Sequence, residues 1–483
     1  MNGFFLYETA QKHPDAPALF SSQGVISYSR FAEQVERAAY RLSSADIKSG
    51  ERVALLGQNS PGYVVALMAL LRLGAVAVPL NFRVPPDELS IRLKEIHCRI
   101  ILRSTAYDAC EFEGFDIAPL EAITNADAPF SAVEIAHPFS LDQEATVIFT
   151  SGSTSTPKAA LHQFRSHYFN VLGSNENTQF GPSDAWLLSL PLFHVGGYSI
   201  PIRAALAGAA VAIPDPGEAL EAALNRFPVT HLSLVATQLY RLLQDELATQ
   251  RLRKLKAILL GGSAMPNGLI ERALELGLPI HTSYGCTEMA SQVTTTPPAA
   301  DPEILKTSGK LLLYRQMKIA PDGEILVKGE TLFSGYLRKD GLEQPFDAEG
   351  WYHTRDTGRI DEKGMLHVEG RMDNLFISGG ENIQPEEIER HLCTLPDIEQ
   401  AVVVPYPHPE FGERPAVFLQ LREGKTLDEE ALRRFLTKQI ARYKIPDYFF
   451  ELPEEAVGSG MKVNRAACKQ LAQEYIERLK SLL

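Results

Sequence analysis

The stretch Thr150–Lys158 reads TSGSTSTPK. Ser151, Gly152, Ser153, Thr154, Ser155 and Thr156 offer hydroxyls and backbone N–H groups, and Lys158 adds a positive charge. That combination suits an anion, a phosphate chain in particular. A Walker-type nucleotide loop has the form G-x-x-x-x-G-K-[ST]. Counting from Gly152 puts Pro157 where the second glycine belongs, then Lys158, then Ala159 where a metal-binding hydroxyl belongs. Proline removes an amide donor, and alanine cannot hold a metal. The loop therefore reads as a phosphate loop of another kind. A solvated Ser/Thr linker is the competing account. The apolar run Ala145–Phe149 (ATVIF) directly before it favours a loop at the end of a buried strand.

Such a loop needs a scaffold. The chain has 483 residues, enough for roughly three folding units. Short apolar runs alternate with helix-period segments through the first two-thirds. Arg52–Leu56, Leu232–Val235 and Ala257–Leu260 read as strands. Phe164, Tyr168, Val171 and Leu172 recur at helical spacing and are expected on one buried face. This alternation implies an α/β fold, with parallel or mixed sheets flanked by helices and ligands beyond the strands' carboxyl ends. Tyr63–Leu80 (YVVALMALLRLGAVAVPL) is apolar but holds Arg72, Gly74 and Pro79, so it reads as a buried helix running into a buried strand. From about residue 310 the texture becomes β-rich, with strands expected at Glu324–Val327, Gly350–His353 and Met365–Val368. The expected division is a large domain over residues 1–370, its β-rich subdomain at about 310–370, a hinge at 371–374, and a small α+β domain over 375–483.

Formal net charge is −13, which argues against general affinity for nucleic acid or for anionic membranes. Five cysteines, Cys98, Cys110, Cys286, Cys393 and Cys468, show no C-x-x-C spacing. A disulfide framework or zinc site is not expected, and a reducing cytoplasm fits. The start, MNGFFLYETAQKHPD, has no basic region followed by an apolar core, so no signal peptide is expected.

Five strings, in order, carry a resemblance. They are TSGSTSTPKAA, Tyr284–Glu288 (YGCTE), Tyr352–Asp356 (YHTRD), Gly370–Glu389 (GRMDNLFISGGENIQPEEIE) and the tail GMKVNR ending at Arg465. They resemble the signature motifs of the acyl-adenylate-forming superfamily. SLPLFHVGGYSIPIR (Ser189–Arg203) and YGCTEMASQVTT further resemble the branch that acts on o-succinylbenzoate in menaquinone biosynthesis. The resemblance implies an ATP-dependent acid–CoA ligase with ATP, Mg²⁺ and coenzyme A. An aryl- or fatty-acid ligase, a stand-alone adenylation enzyme, a luciferase-type oxidase and a silent nucleotide-binding relative remain open, as does a homo-oligomer.

The same resemblance assigns roles. Lys462 would meet the developing charge on the α-phosphate, and Thr287 would donate to that phosphate. Glu288 would hold Mg²⁺, which accepts a single carboxylate beside phosphate oxygens and water. Ser151, Gly152, Ser153, Thr154 and Lys158 would hold the outer phosphates. Gly262, Ser263, Ala264 and Tyr284 would flank adenine, and Asp356 and Arg371 would take the ribose or phosphate. His194 would gate the acyl pocket next to the catalytic groups, lining it without acting as a general base. Gly285 would line the same pocket. Arg203, in the apolar segment IPIRAALAGAA, wants an anionic partner: either a second carboxylate on the substrate or an internal acid. Asp373 would be the hinge, and Ser378–Glu381 would line the pantetheine path. For Lys462 a surface lysine, for Glu288 an exposed acid after a turn, and for Asp356 and Arg371 a structural salt bridge are the plain alternatives.

Overall fold

The computed structural model describes residues 3–126, 138–150, 157–262, 265–378, 381–453, 456 and 463–482. These divide into two compact units. The first comprises 1–263, 273–317 and 327–353, and the second 264–272, 318–326 and 354–483.

The first unit holds two large sheets. An eight-stranded sheet runs in the order Gly341–Glu343, Gly335–Arg338, Lys158–Gln163, Glu144–Thr150, Val76–Pro79, Arg52–Leu56, Ile100–Arg103 and Asp116–Pro119. Its last five strands pair in parallel. Between Glu144–Thr150 and Lys158–Gln163 the pairing is antiparallel, with Thr150 opposite Lys158. The phosphate loop therefore joins two neighbouring antiparallel strands, whereas a Walker loop leads from strand into helix. The nine-stranded sheet has a parallel centre of Ala185–Leu187, His231–Leu234, Ala257–Leu260 and Ile280–Cys286. Both sheets share one core. The helix Pro61–Leu73, buried along almost its whole length, packs in it beside Leu55, Ile148, Trp186 and Val211. Ser60 caps that helix, Pro61 opens it, and Gly74 closes it at φ 78°, a pairing of proline inside the start and glycine past the end that fits helix termini.

Several expectations shift. The strand expected at Leu232–Val235 lies at His231–Leu234, and Gly350–His353 gives way to Tyr352–Ile360, because Gly350 turns at φ 81°. Met365–Val368 becomes Leu366–Arg371. The helix Phe164–Thr178 forms, but Leu172 is exposed and the buried face carries Ser166, His167, Asn170 and Ser174. That face is polar because it hydrogen-bonds to the strands that carry the site. None of the five cysteines is in a disulfide.

In the second unit, strands Glu381–Ile383, Phe376–Ser378, Gly412–Leu421 and Ile398–His408 form a sheet, and Tyr448–Glu451 adds to Gly412–Leu421. Helices Pro385–Leu392 and Glu429–Thr437 and helix Arg465–Leu482 pack through separate apolar clusters. The helix opening at Pro385 has Glu386 and Glu387 in its first turn, as its N-terminal dipole favours.

Candidate active site

Three parallel strands of the nine-stranded sheet end side by side. Gly261 and Gly262 follow Ala257–Leu260, and Tyr284 lies near the end of Ile280–Cys286. Ser283 Oγ donates to Leu260 O at 2.9 Å and ties the two ends together. Gly262 sits at φ 87°, a left-handed conformation that glycine adopts without steric cost. At Gly285 a Cβ would meet Ser291 O at 1.8 Å, so this glycine is dictated by the close return of the strand Ser291–Thr295. Ser263 and Ala264 lie outside the described residues, as do Ser151, Gly152, Ser153 and Thr154, Ser155 and Thr156, and Lys462.

Glu288 follows in a single 3-10 turn, Thr287–Met289. It is 9% exposed, so the exposed-acid alternative fails. Its Oε1 accepts from Tyr336 Oη at 2.6 Å, and Tyr336 Oη lies 2.8 Å from Tyr352 Oη. Burial, then the Glu288 charge, pushes both phenols above the usual tyrosine range, so both stay protonated. Lys158 Nζ lies over the Tyr336 ring, 4.9 Å from its centroid. From behind, His162 Nε2 donates to Thr287 O at 2.7 Å. Burial holds His162 below its ordinary pKa, so it is neutral there. Phe333 N donates to Glu288 O at 2.8 Å. Lys158, Glu288 and Tyr352, the tyrosine of YHTRD, thus converge on Tyr336. Sequence reasoning missed Tyr336 and His162, which sit in ordinary strands with no spacing signal.

Arg203 forms a second centre. It is 2% exposed, in the helix Val195–Ala207. Its Nη2 donates to Gln292 Oε1 at 3.0 Å, and its guanidinium carbon lies 4.5 Å from the Trp186 ring centroid. Nε and Nη1 have no hydrogen-bond partner. Among the described residues no carboxylate pairs with it, so the internal-acid alternative has no candidate. Arg315, 5% exposed, lies in the same region. It donates to the backbone oxygens of Gln292, Leu313 and Asn170. Burial pulls Arg203 down to about 10, and burial with the Arg203 charge pulls Arg315 down to about 9. Two buried cations without a buried anion cost several kcal/mol in desolvation. His194 stands exposed at the N-cap of the Arg203 helix, its ring 4.6 Å from that of Phe193. A Cβ on Gly197 would meet Pro191 O at 2.1 Å, which explains one glycine of HVGGY.

The second unit brings Asp356, Arg371 and Asp373 together. Arg371 Nη1 donates to Asp356 Oδ1 at 2.8 Å and Nη2 to Asp373 Oδ2 at 3.1 Å. Burial opposes the Arg371 charge, but Asp356 and Asp373 together raise its pKa above the usual guanidinium value. Arg355, at φ 63°, also donates to Asp373. The structural salt bridge is therefore present at the residues expected to meet ribose. Ser378 and Glu381 line an open groove of about 810 Å³ with Tyr406, His408, Arg414 and Arg442. Just after Lys462 in the chain, Asn464 N donates to Ala456 O at 2.8 Å, and Arg465 pairs with Glu389 at 2.6 Å.

Residues 6–337 match the family described as AMP-binding enzyme, and residues 387–458 match the AMP-binding enzyme C-terminal domain. This chain belongs to the AMP-binding enzyme family. It is 32% identical to a 2-succinylbenzoate–CoA ligase of Bacillus cereus, over 97% of this chain and 98% of that one. With its counterpart in Salmonella typhimurium it shares 34% identity over 95% and 96% of the two chains. Among solved structures, o-succinylbenzoate coenzyme A synthetase of Bacillus subtilis in complex with the acyl-adenylate intermediate OSB-AMP superposes with TM-score 0.88 at 30% identity, covering 97% and 98%. The same enzyme in complex with ATP and magnesium ion gives TM-score 0.85 at 30% identity, covering 96% and 98%. Among the described residues no helix is long and apolar enough to cross a membrane.

Proposed function

We propose that this chain is an ATP-dependent acid–CoA ligase that converts o-succinylbenzoate to o-succinylbenzoyl-CoA, a step of menaquinone biosynthesis, and that it works in the cytoplasm. The observation that carries the acid's identity is Arg203, a buried guanidinium whose Nε and Nη1 have no hydrogen-bond partner and which has no carboxylate beside it among the described residues. o-Succinylbenzoate brings two carboxylates. One reacts, and the other supplies the anion that Arg203 lacks.

In the first half-reaction the reacting carboxylate attacks the α-phosphate of ATP and expels pyrophosphate. In the second, the thiol of coenzyme A attacks the acyl carbon and expels AMP. Neither needs a nucleophile from the protein, so catalysis rests on placement and charge. Lys462 stabilises the charge growing at the α-phosphate, and Thr287 donates to it. The phosphate loop, Ser151 to Thr154 with Lys158, holds the outer phosphates. Gly262, Ser263, Ala264 and Tyr284 flank adenine, and Asp356 with Arg371 receives the ribose. Described residues form no cluster of three or more metal-binding side chains. A lone carboxylate fits Mg²⁺ beside a nucleotide, and Glu288 is that carboxylate; when bound, the ion offsets phosphate charge. His194 and Gly285 line the acyl pocket. The thiol arm runs past Ser378–Glu381 after the small domain turns about Asp373, with the large domain ending near residue 370.

ATP–pyrophosphate exchange over a panel of carboxylic acids tests this reading. Exchange is expected with o-succinylbenzoate well above benzoate, phenylbutyrate and fatty acids. Preference for a monocarboxylate would reassign the substrate, and no exchange with any acid would make the chain a nucleotide binder.

A further inference from the structure

Lys158 and Glu288 carry opposite charges and touch the same side chain, yet they do not pair with each other. Tyr336 stands at both. Its ring receives the Lys158 ammonium at 4.9 Å, and its hydroxyl donates to Glu288 at 2.6 Å. The strand register produces this. Tyr336 lies opposite Ala160 in the antiparallel pair of Gly335–Arg338 with Lys158–Gln163, which makes Lys158 its diagonal neighbour, within reach of a long side chain. The ring is fixed edge-on against Phe333, with centroids 4.8 Å apart and planes at 68°. Phe333 in turn meets Tyr352 at 5.4 Å and Phe346 at 5.7 Å. With Tyr336 donating to Glu288, the hydroxyl of Tyr352 is left to donate to Tyr336, so the two phenols form one directed chain ending on the carboxylate.

We propose that Tyr336 is a positioning residue for the adenylation half-reaction. It keeps the phosphate lysine and the metal carboxylate from neutralising each other before nucleotide arrives. Without it, a Lys158–Glu288 ion pair would form in a partly dry site, and MgATP would have to break that pair to bind. The two parts of the side chain act separately. The hydroxyl orients Glu288 toward the metal, and the ring holds Lys158 for the phosphates. The proposal rests on the assignment of Glu288 to magnesium and Lys158 to ATP.

The test uses the full chain and three variants, Tyr336→Phe, Tyr336→Leu and Glu288→Gln. Calorimetry measures Mg²⁺ binding to the enzyme holding α,β-methylene-ATP, and binding of that analogue at saturating Mg²⁺. Thioester formation from supplied acyl-adenylate reports on the half-reaction that needs neither. Tyr336→Phe is expected to weaken Mg²⁺ binding about threefold to tenfold while analogue affinity stays within twofold. Tyr336→Leu is expected to weaken both by tenfold or more. Thioester formation should stay within twofold in both. A Tyr336→Phe enzyme with wild-type Mg²⁺ binding, or a Tyr336→Leu enzyme whose thioester formation falls as far as its Mg²⁺ and analogue binding, would overturn the proposal. If Glu288→Gln leaves Mg²⁺ binding unchanged, the metal assignment itself is wrong, and that result is separate from the behaviour of Tyr336.

Discussion

The two ends of the first unit's site handle charge in opposite ways. At the proposed phosphate end, Lys158 and Glu288 are both present, and both are held by one uncharged tyrosine, Tyr336. At the proposed acyl end, Arg203 and Arg315 are both cations, and among the described residues neither pairs with an acid. The first end is balanced and ready for a ligand that brings both signs, as a metal–nucleotide complex does. The second is unbalanced and is completed only by an anion. The difference separates what an adenylating enzyme needs for any acid from what it needs for one acid. A lesion at the phosphate end should slow adenylation of every acid alike, whereas a lesion at Arg203 should discriminate among acids.

The largest effect is expected at Lys462. Lys462→Ala should reduce adenylation at least 10²–10³-fold, as loss of a charge-stabilising donor does. The reduction should be equal across acids, with thioester formation from supplied acyl-adenylate retained. Single-turnover assays of each half-reaction would show it, and equal loss in both would remove Lys462 from its role. Next is Glu288→Gln, expected to raise the Mg²⁺ requirement about tenfold or more for every acid in the panel. A change confined to one acid would place Glu288 at the acyl end.

A third expectation concerns stability against pH. Burial first of all lowers the pKa values of His162, His167, His231 and His281, His231 to about 4. Below about pH 6.5 the unfolded chain binds protons that the folded chain refuses. Stability is then expected to fall as pH drops from 6.5 toward 4, with a slope of up to about 1.4 kcal/mol per pH unit for each such histidine. Tm measured from pH 7.5 to 4.5 would show this, and His162→Gln should flatten the slope. A Tm independent of pH over that range would mean that these rings take up protons as readily in the fold as in the unfolded chain. The smallest effect is expected at Ser155, where the superfamily usually has glycine. If that position needs φ > 0, serine there costs about 1–2 kcal/mol, and Ser155→Gly should lower the KM for ATP up to tenfold. An unchanged KM would show that the loop has its own backbone solution.

The strings around Lys158, Glu288, Asp356 and Lys462 were legible because each packs several unusual residue types into a few positions. The strand at Arg52–Leu56 and the helix running into a strand within Tyr63–Leu80 were legible from apolar runs and breakers. Tyr336 was not, since it lies in the plain strand sequence GYLR and reaches Lys158 only through antiparallel register. The polar face of Phe164–Thr178 was also hidden. Periodicity arguments assume that the buried face is the apolar one, and here Asn170 and His167 are buried because they bond to Met289, Gln292 and Thr146. Arg203 was readable as a charge in an apolar segment. That no acid among the described residues pairs with it needed the fold.

Arg203 decides whether the two ends differ as described. The most direct measurement is adenylation kinetics of wild type and Arg203→Met, with o-succinylbenzoate and with the analogue in which the second carboxylate is replaced by a primary amide. Wild type is expected to favour the dicarboxylate by about 10²-fold or more in kcat/KM, in line with about 2–5 kcal/mol for a buried charge pair. Arg203→Met should lose most of that preference through KM while its rate with the amide stays near wild type. Equal losses with both acids would contradict the account and leave Arg203 as a structural residue stacked on Trp186.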